Sequence, residues 1–210
     1  MTPQAALQGG VGELALALPP GAIEKLLAYL ALLAKWNKTY NLTAIRDPLH
    51  AVSHHLLDSL AVLHELSDRA GTLVDIGSGA GLPGIPIAIA EPARRVTLND
   101  ANEKKGAFLR QAVIELGLRN AEVHVGRVEA WRPAQRFAVV ISRGFASLVD
   151  FLAACRHLAA PDGVLAAMKG AYPLAELAQV PADCDCREIR RLKVPLLEAE
   201  RHLVLCRIGS

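Results

Sequence analysis

Several features that would assign this chain to a narrower class are missing. The longest unbroken apolar stretch, Leu26 to Ala34, falls far short of the roughly 20 residues that a membrane-spanning helix requires. The N-terminus shows no basic region followed by an apolar core and a small-residue cleavage site, so a cytoplasmic location is expected, with no membrane partner. Cysteine is scarce: Cys155, Cys184, Cys186 and Cys206 are the four present. Cys184 and Cys186 are separated by a single residue, and no second matched pair accompanies them. Neither a zinc knuckle nor any other metal site is therefore expected, and the thiols are expected to be reduced and structural. Neither an internal repeat nor a low-complexity segment stands out. The formal net charge is only +2, which by itself points to no partner.

What is present is an ordinary globular composition, with 52% hydrophobic and 21% charged residues in a chain of 210. That length suffices for one α/β domain with a small appendage and a sizeable core. The charge is unevenly spread. Between Ala101 and Arg143 there are eight Lys and Arg against four Glu, a bias compatible with nucleic-acid contact and equally with solvated helix faces.

The pattern of apolar residues divides the chain near residue 70. Leu7, Leu14 and Leu18 have helix-like spacing interrupted by glycines, and Pro19-Pro20-Gly21 breaks the run. From Ala22 to about Lys38, residues Ile23, Leu26, Leu27, Leu30, Leu33 and Ala34 fall on one helical face, which predicts an amphipathic helix. A polar loop, Asn37 to Asp47, precedes Pro48 at a helix start, and Leu49 to Leu66 reads as one further helix carrying His50, His54, His55 and His64. After Gly71, strands near Leu73–Ile76, Arg95–Asn99, Glu122–Val125, Phe137–Ser142 and Val164–Met168 alternate with helices near Gly84–Ala90, Glu103–Leu116 and Leu148–Leu158. Such alternation predicts a parallel sheet covered by helices on both faces. Glu188–Val194 and His202–Ile208 read as an antiparallel hairpin completing one edge. The expected organisation is a helical extension over 1–70 and a ligand-binding α/β domain over 71–210.

The densest signal is Asp75-Ile76-Gly77-Ser78-Gly79-Ala80-Gly81-Leu82-Pro83-Gly84. A strand runs into a turn where glycine lets the backbone approach a ligand closely. Gly79, Gly81 and Gly84 fit the dinucleotide pattern G-x-G-x-x-G, while Asp75, Gly77, Gly79 and Gly81 fit the D-x-G-x-G-x-G pattern of S-adenosylmethionine enzymes. Charge favours the second. A pyrophosphate would sit badly beside the Asp75 carboxylate, whereas the ammonium and sulfonium of S-adenosylmethionine would be stabilised by it. Asp100, at the end of the next strand, suits ribose hydroxyls in either frame.

Further segments join this turn in a fixed order: Asn41-Leu42-Thr43-Ala44-Ile45-Arg46-Asp47-Pro48, His54-His55-Leu56-Leu57-Asp58-Ser59-Leu60, Ser142-Arg143-Gly144-Phe145-Ala146-Ser147, Met168-Lys169-Gly170 and Glu200-Arg201-His202-Leu203-Val204. Together they resemble the RsmG/GidB family of bacterial small-subunit ribosomal RNA methyltransferases, over nearly the whole chain. The resemblance implies a class I S-adenosylmethionine-dependent fold, a Rossmann-like seven-stranded sheet with its last strand antiparallel, behind an N-terminal helical extension. It also implies methyl transfer to N7 of one guanosine in 16S rRNA, on the naked RNA or the small ribosomal subunit; a monomer is expected, although the sequence does not fix the oligomeric state. Carried over by motif, Gly77 and Leu82 would line the methionine end and the turn, with Asp75 and Gly79 shaping the same site. Asp100 would hold the ribose, Val128 and Glu129 would flank the adenine, and Arg143 would stand at the mouth. Asn99 departs from the apolar or small residue usual beside the acid, and Gly144 from the usual alanine.

Three residues are candidates for work on the RNA. Arg143, at the end of a parallel strand, could grip a phosphate or stack on a base. Lys169, just past the next strand, could meet phosphate or merely be solvated. Asn41 lies in the polar loop, where fixing the loop competes with contacting RNA. The alternatives are a methyltransferase of another substrate, a non-catalytic nucleotide-binding regulator and a dinucleotide oxidoreductase.

Overall fold

The structure is a computed structural model that describes residues 1–208. Among these residues, seven strands form one sheet: β1 (Leu73–Ile76), β2 (Val96–Asp100), β3 (Ala121–Val125), β4 (Phe137–Arg143), β5 (Ala159–Lys169), β6 (Cys184–Arg191) and β7 (His202–Ile208). Their order across the sheet is β3-β2-β1-β4-β5-β7-β6. The first five pair in parallel, and β7 runs antiparallel to both β5 and β6. Because the strand order reverses between β1 and β4, a crevice opens at their carboxyl ends, where folds of this kind receive ligands. The predicted hairpin forms with one difference: β7 inserts inside the sheet and β6 takes the edge.

Among the described residues, eight α-helices accompany the sheet: α1 (Pro3–Glu13), α2 (Ala22–Tyr40), α3 (Pro48–Ala51), α4 (Asp58–Leu60), α5 (Gly84–Ala90), α6 (Glu103–Glu115), α7 (Leu148–Cys155) and α8 (Leu174–Leu177). Their starts follow from local chemistry. Thr2, Asp47, Asn102 and Ser147 each accept a hydrogen bond from an otherwise orphaned first-turn amide, and prolines stand at the first position of α1 and α3. The helix expected over Leu49–Leu66 is not uniform. Residues Val52–Leu57, between α3 and α4, are wound as a π-helix, and a 3-10 turn follows at His64–Leu66. Hydrophobic periodicity does not distinguish these windings, which differ by about one residue in the reach of each backbone hydrogen bond.

Strand alternation sorts the core into two layers. Val139 and Ile141 face one side, packed with Leu98, Ile85, Phe108, and with Leu7, Leu26, Tyr29 and Leu56 of the N-terminal helices. Val140 faces the other, with Val74, Leu165, Phe151 and Leu152. The helices before residue 70 thus share one apolar layer with α5 and α6. The cysteines correct the sequence expectation: Cys186 and Cys206 form a disulfide, while Cys155 and Cys184 remain free. The β6–β7 pairing brings these two positions opposite one another at a register irregularity between Asp185 and Glu188, a proximity invisible in their spacing.

Candidate active site

The glycine turn leaves β1 and is held from behind. Gly77, Gly79 and Gly81 have φ of +66°, +59° and +87°, values that side-chain-bearing residues rarely adopt. A Cβ at Gly77 would meet nothing within 4 Å, and one at Gly79 only the Gly77 carbonyl at 3.7 Å. The surface of the turn is therefore open to a ligand. Gly84 differs, since a Cβ there would lie 2.3 Å from Leu98 and 2.8 Å from the Asp75 carboxylate. Asp75 is fully buried. Its Oδ2 accepts from the Gly84 amide at 2.9 Å and from the Ser78 hydroxyl, both within the turn. Burial pushes its pKa up to about 7, against the pull of Ser78, Gly84 and Arg143. Asp75 thus acts first on the shape of the loop, rather than presenting an exposed counter-charge.

Asp100 ends β2 and is 6% exposed. Its two oxygens accept from the Gly79 amide at 2.9 Å and the Asn102 amide at 2.8 Å, so the acid and the turn are fixed to each other. The departure at Asn99 has a structural use. Its side-chain amide donates to the Gly126 carbonyl at 3.0 Å and lies 2.9 Å from His124 Nδ1, tying the end of β2 to that of β3. Val128 and Glu129 follow in a 3-10 turn, with the valine side chain buried and the glutamate exposed. Leu82 is 3% exposed, so it can offer a ligand its backbone and not its side chain.

The N-terminal helices supply a contact that periodicity hid. Tyr29 of α2 is fully buried, and its hydroxyl donates to the Ala80 carbonyl at 2.6 Å. Burial raises its pKa, so it stays a donor. In the sequence it lies inside the apolar run Leu26 to Ala34 and is not among the face residues named above. A tyrosine in an otherwise aliphatic stripe is the signal that could have marked it, because a buried hydroxyl needs a partner.

Beside the turn, a cavity of about 450 Å³ is lined by Ile45, His54, His55, Asp58, Arg143 and Lys169, among others. Arg143 ends β4 and donates from Nη1 to Asp58 Oδ2 at 3.0 Å and to the His54 carbonyl at 2.9 Å. Its neighbour Ser142 donates to the Ile76 carbonyl at 2.7 Å, which holds the ends of β4 and β1 together. Lys169 is neither solvated nor free, since its Nζ lies 2.8 Å from Glu176 Oε2. Arg201, preceding β7, also lines the cavity and pairs with Asp58. Asp58 and Arg201 stand in motifs quoted above, yet neither was singled out; only folding brings them together.

His55 Nε2 lies 2.9 Å from the Thr43 hydroxyl, and burial pulls its pKa down to about 4, helped by the nearby Arg143 cation. Asn41 is not among the cavity's lining residues. It ends α2 in a left-handed conformation and accepts from Arg46 at 3.2 Å, the loop-fixing arrangement. Among the described residues, no group of three His, Cys, Asp or Glu is placed to hold a metal, and no helix is long and apolar enough to cross a membrane.

Comparison with known proteins covers almost the whole chain. The family model GidB, described as rRNA small subunit methyltransferase G, matches residues 22–204. A protein from Laribacter hongkongensis named ribosomal RNA small subunit methyltransferase G is 51% identical over 94% of this chain and 95% of its own. A protein of the same name from Chromobacterium violaceum is 51% identical over 95% of each chain. Among solved structures, a SAM-dependent methyltransferase from Aquifex aeolicus superposes with a TM-score of 0.60 at 20% identity, covering 84% of this chain and 98% of that one. The ribosomal protein L11 methylase from Lactobacillus delbrueckii subsp. bulgaricus gives 0.55 at 14%, covering 73% and 77%. At such identities these two likenesses bear on the fold, that of class I methyltransferases.

Proposed function

The chain belongs to the GidB family of small-subunit ribosomal RNA methyltransferases, and from that premise we propose that it methylates N7 of a guanosine in 16S rRNA, using S-adenosylmethionine. The observation that carries the reading is the meeting, at the carboxyl ends of β1, β2 and β4, of an open glycine turn, a fixed carboxylate and a guanidinium-lined cavity.

The residues present fit the cofactor. Open space before Gly77 and Gly79 is the room that a bulky sulfonium nucleoside needs, and a Cβ would intrude on it. Gly77, Gly79 and the Leu82 backbone would hold the methionine end, Asp100 the ribose, and Val128 and Glu129 the adenine. Asp75 acts through the turn it braces, and Arg143 stands between turn and cavity. S-adenosylmethionine, when bound, supplies an already activated methyl group.

The remaining work is alignment. Guanine N7 carries a free lone pair in the neutral base, so no side chain has to remove a proton. Fixing donor and acceptor in line contributes up to about 7–11 kcal/mol in favourable cases. Tyr29, Asp75, Ser142 and Asp58 serve that end by immobilising the groups that touch the ligands. Arg143 and Lys169 face the RNA, Lys169 through its exchange with Glu176, while Asn41 fixes the approach loop. The reading carries with it a cytoplasmic monomer.

The test is methyl transfer to small ribosomal subunits and to naked 16S rRNA, both from a strain lacking this protein, with calorimetry against S-adenosylmethionine and NAD. N7-methylguanosine at one position and binding of S-adenosylmethionine alone are expected. No methylated guanosine on either substrate defeats the substrate assignment, and NAD binding in place of S-adenosylmethionine defeats the cofactor.

A further inference from the structure

Two guanidinium groups of like charge stand together at the cavity because one buried acid joins them. Asp58 has a side chain only 2% exposed. Its Oδ2 accepts from Arg143 Nη1 at 3.0 Å and its Oδ1 from Arg201 Nε at 2.9 Å. The arginines come from separate parts of the sheet, 85 and 143 residues along the chain from Asp58. Backbone carbonyls complete the anchoring: His54 receives Arg143 Nη1 at 2.9 Å and Glu200 receives Arg201 Nη1 at 2.8 Å.

This anchoring does not spend the guanidiniums. Each offers five N–H donors in a rigid fork. Among the described residues, Nε and Nη2 of Arg143 and Nη2 of Arg201 make no hydrogen bond. Both side chains keep access to solvent, at 25% and 23% exposure. One carboxylate between two guanidiniums leaves the trio positively charged. Lys169 adds nothing free, being paired with Glu176.

We infer that Asp58, Arg143 and Arg201 form a preassembled clamp for one backbone phosphate of the RNA, adjoining the nucleoside to be methylated. The charge matches: a phosphodiester carries one negative charge, and its oxygens accept from forked donors with good geometry. Asp58 is a positioning residue. It holds two cations at a separation they would not keep alone, so their ordering precedes RNA binding instead of accompanying it. This inference rests on the rRNA methyltransferase reading, and its failure is separable from the failure of that reading.

The experiment measures equilibrium binding of 16S rRNA, from a strain lacking this protein, to wild type, Arg201→Gln and Asp58→Asn between roughly 50 and 200 mM salt, with methyl transfer followed in parallel. Loss of one phosphate contact should make the slope of log K against log salt shallower by about 0.7–0.9. Arg201→Gln is expected to do this, raising KM for RNA about tenfold while kcat changes less than about threefold. Its affinity for S-adenosylmethionine and its thermal midpoint report an intact fold. Asp58→Asn should shallow the slope at least as much, although Asp58 itself touches no RNA. Should Asp58→Asn not fold, Arg201→Gln decides alone. An active wild type with an unchanged slope and KM in Arg201→Gln overturns the clamp and leaves the activity standing. An inactive wild type whose slope still falls in the variant overturns the activity and leaves the clamp on RNA.

Discussion

Burial works on two titratable residues of the site with opposite consequences. Asp75 has a pKa near 7 in the folded protein against an ordinary 3.8, because burial disfavours its charge. Its native form binds the proton more tightly, so the protonated carboxyl favours the folded state at low pH, an advantage lost as pH rises from about 4 to 7. His55 lies near 4 against an ordinary 6.5, again from burial. The neutral imidazole favours the folded state at neutral pH, an advantage lost as pH falls from about 6.5 to 4. In wild type the two slopes offset. Asp75→Asn should therefore leave stability falling more steeply on acidification between about pH 6.5 and 4, by about 1.4 kcal/mol per pH unit. His55→Asn should do the reverse, losing stability as pH rises. Urea midpoints measured across this range check both signs; profiles parallel to wild type would remove the proposed linkage.

At the scale of elements, the N-terminal helices act as part of the site's frame. Helix α2 places Tyr29 against the Ala80 carbonyl inside the glycine turn. Tyr29→Phe keeps the ring and leaves that buried carbonyl without its donor, a loss of about 1–3 kcal/mol. The variant should bind S-adenosylmethionine about tenfold more weakly by calorimetry, with a lower urea midpoint; affinity equal to wild type would show that the turn holds its shape without α2. Most elements were legible in the sequence because each has its own local signature, as with Asp47-Pro48 opening a helix and short apolar runs marking β1 and β4. The glycine turn and Asp100 were legible for the same reason. Side chains whose meaning depends on distant partners were not. Tyr29 sits among apolar neighbours with no sign of its partner in the turn, Lys169 reads equally as a phosphate contact or a solvated lysine where Glu176 in fact holds it, and Asp58 gives no sign that two arginines converge on it. The π-wound turns escaped too, since an apolar stripe has nearly the same spacing in either winding.

For the molecule as a whole, the boundary near residue 70 marks a change of texture within a shared core. Leu7, Leu26, Tyr29 and Leu56 pack in one layer with Ile85, Leu98, Phe108 and Ile141. Asp58 adds ion pairs from the extension to the ends of two strands. Two segments so joined should unfold as one cooperative unit. The two tryptophans report on them separately, Trp36 from α2 and Trp131 from the segment between β3 and β4. Variants carrying only Trp36 (Trp131→Phe) or only Trp131 (Trp36→Phe) should each show the same midpoint by fluorescence as by far-UV circular dichroism. A tryptophan signal that departs from the backbone signal within either variant would establish two independently stable units.

The interior position of β7 ties the sheet to the site. The chain leaves β5, crosses one strand's width to β6 and returns through β7 between them. Without β7, the outer edge of β5 and the inner edge of β6 would present unpaired amides and carbonyls, the kind of template on which foreign strands pair. The same return carries Arg201 to Asp58. The segment that closes the sheet is thus the one that completes the cation pair at the cavity, so a chain in which β7 is unpaired also lacks a finished site.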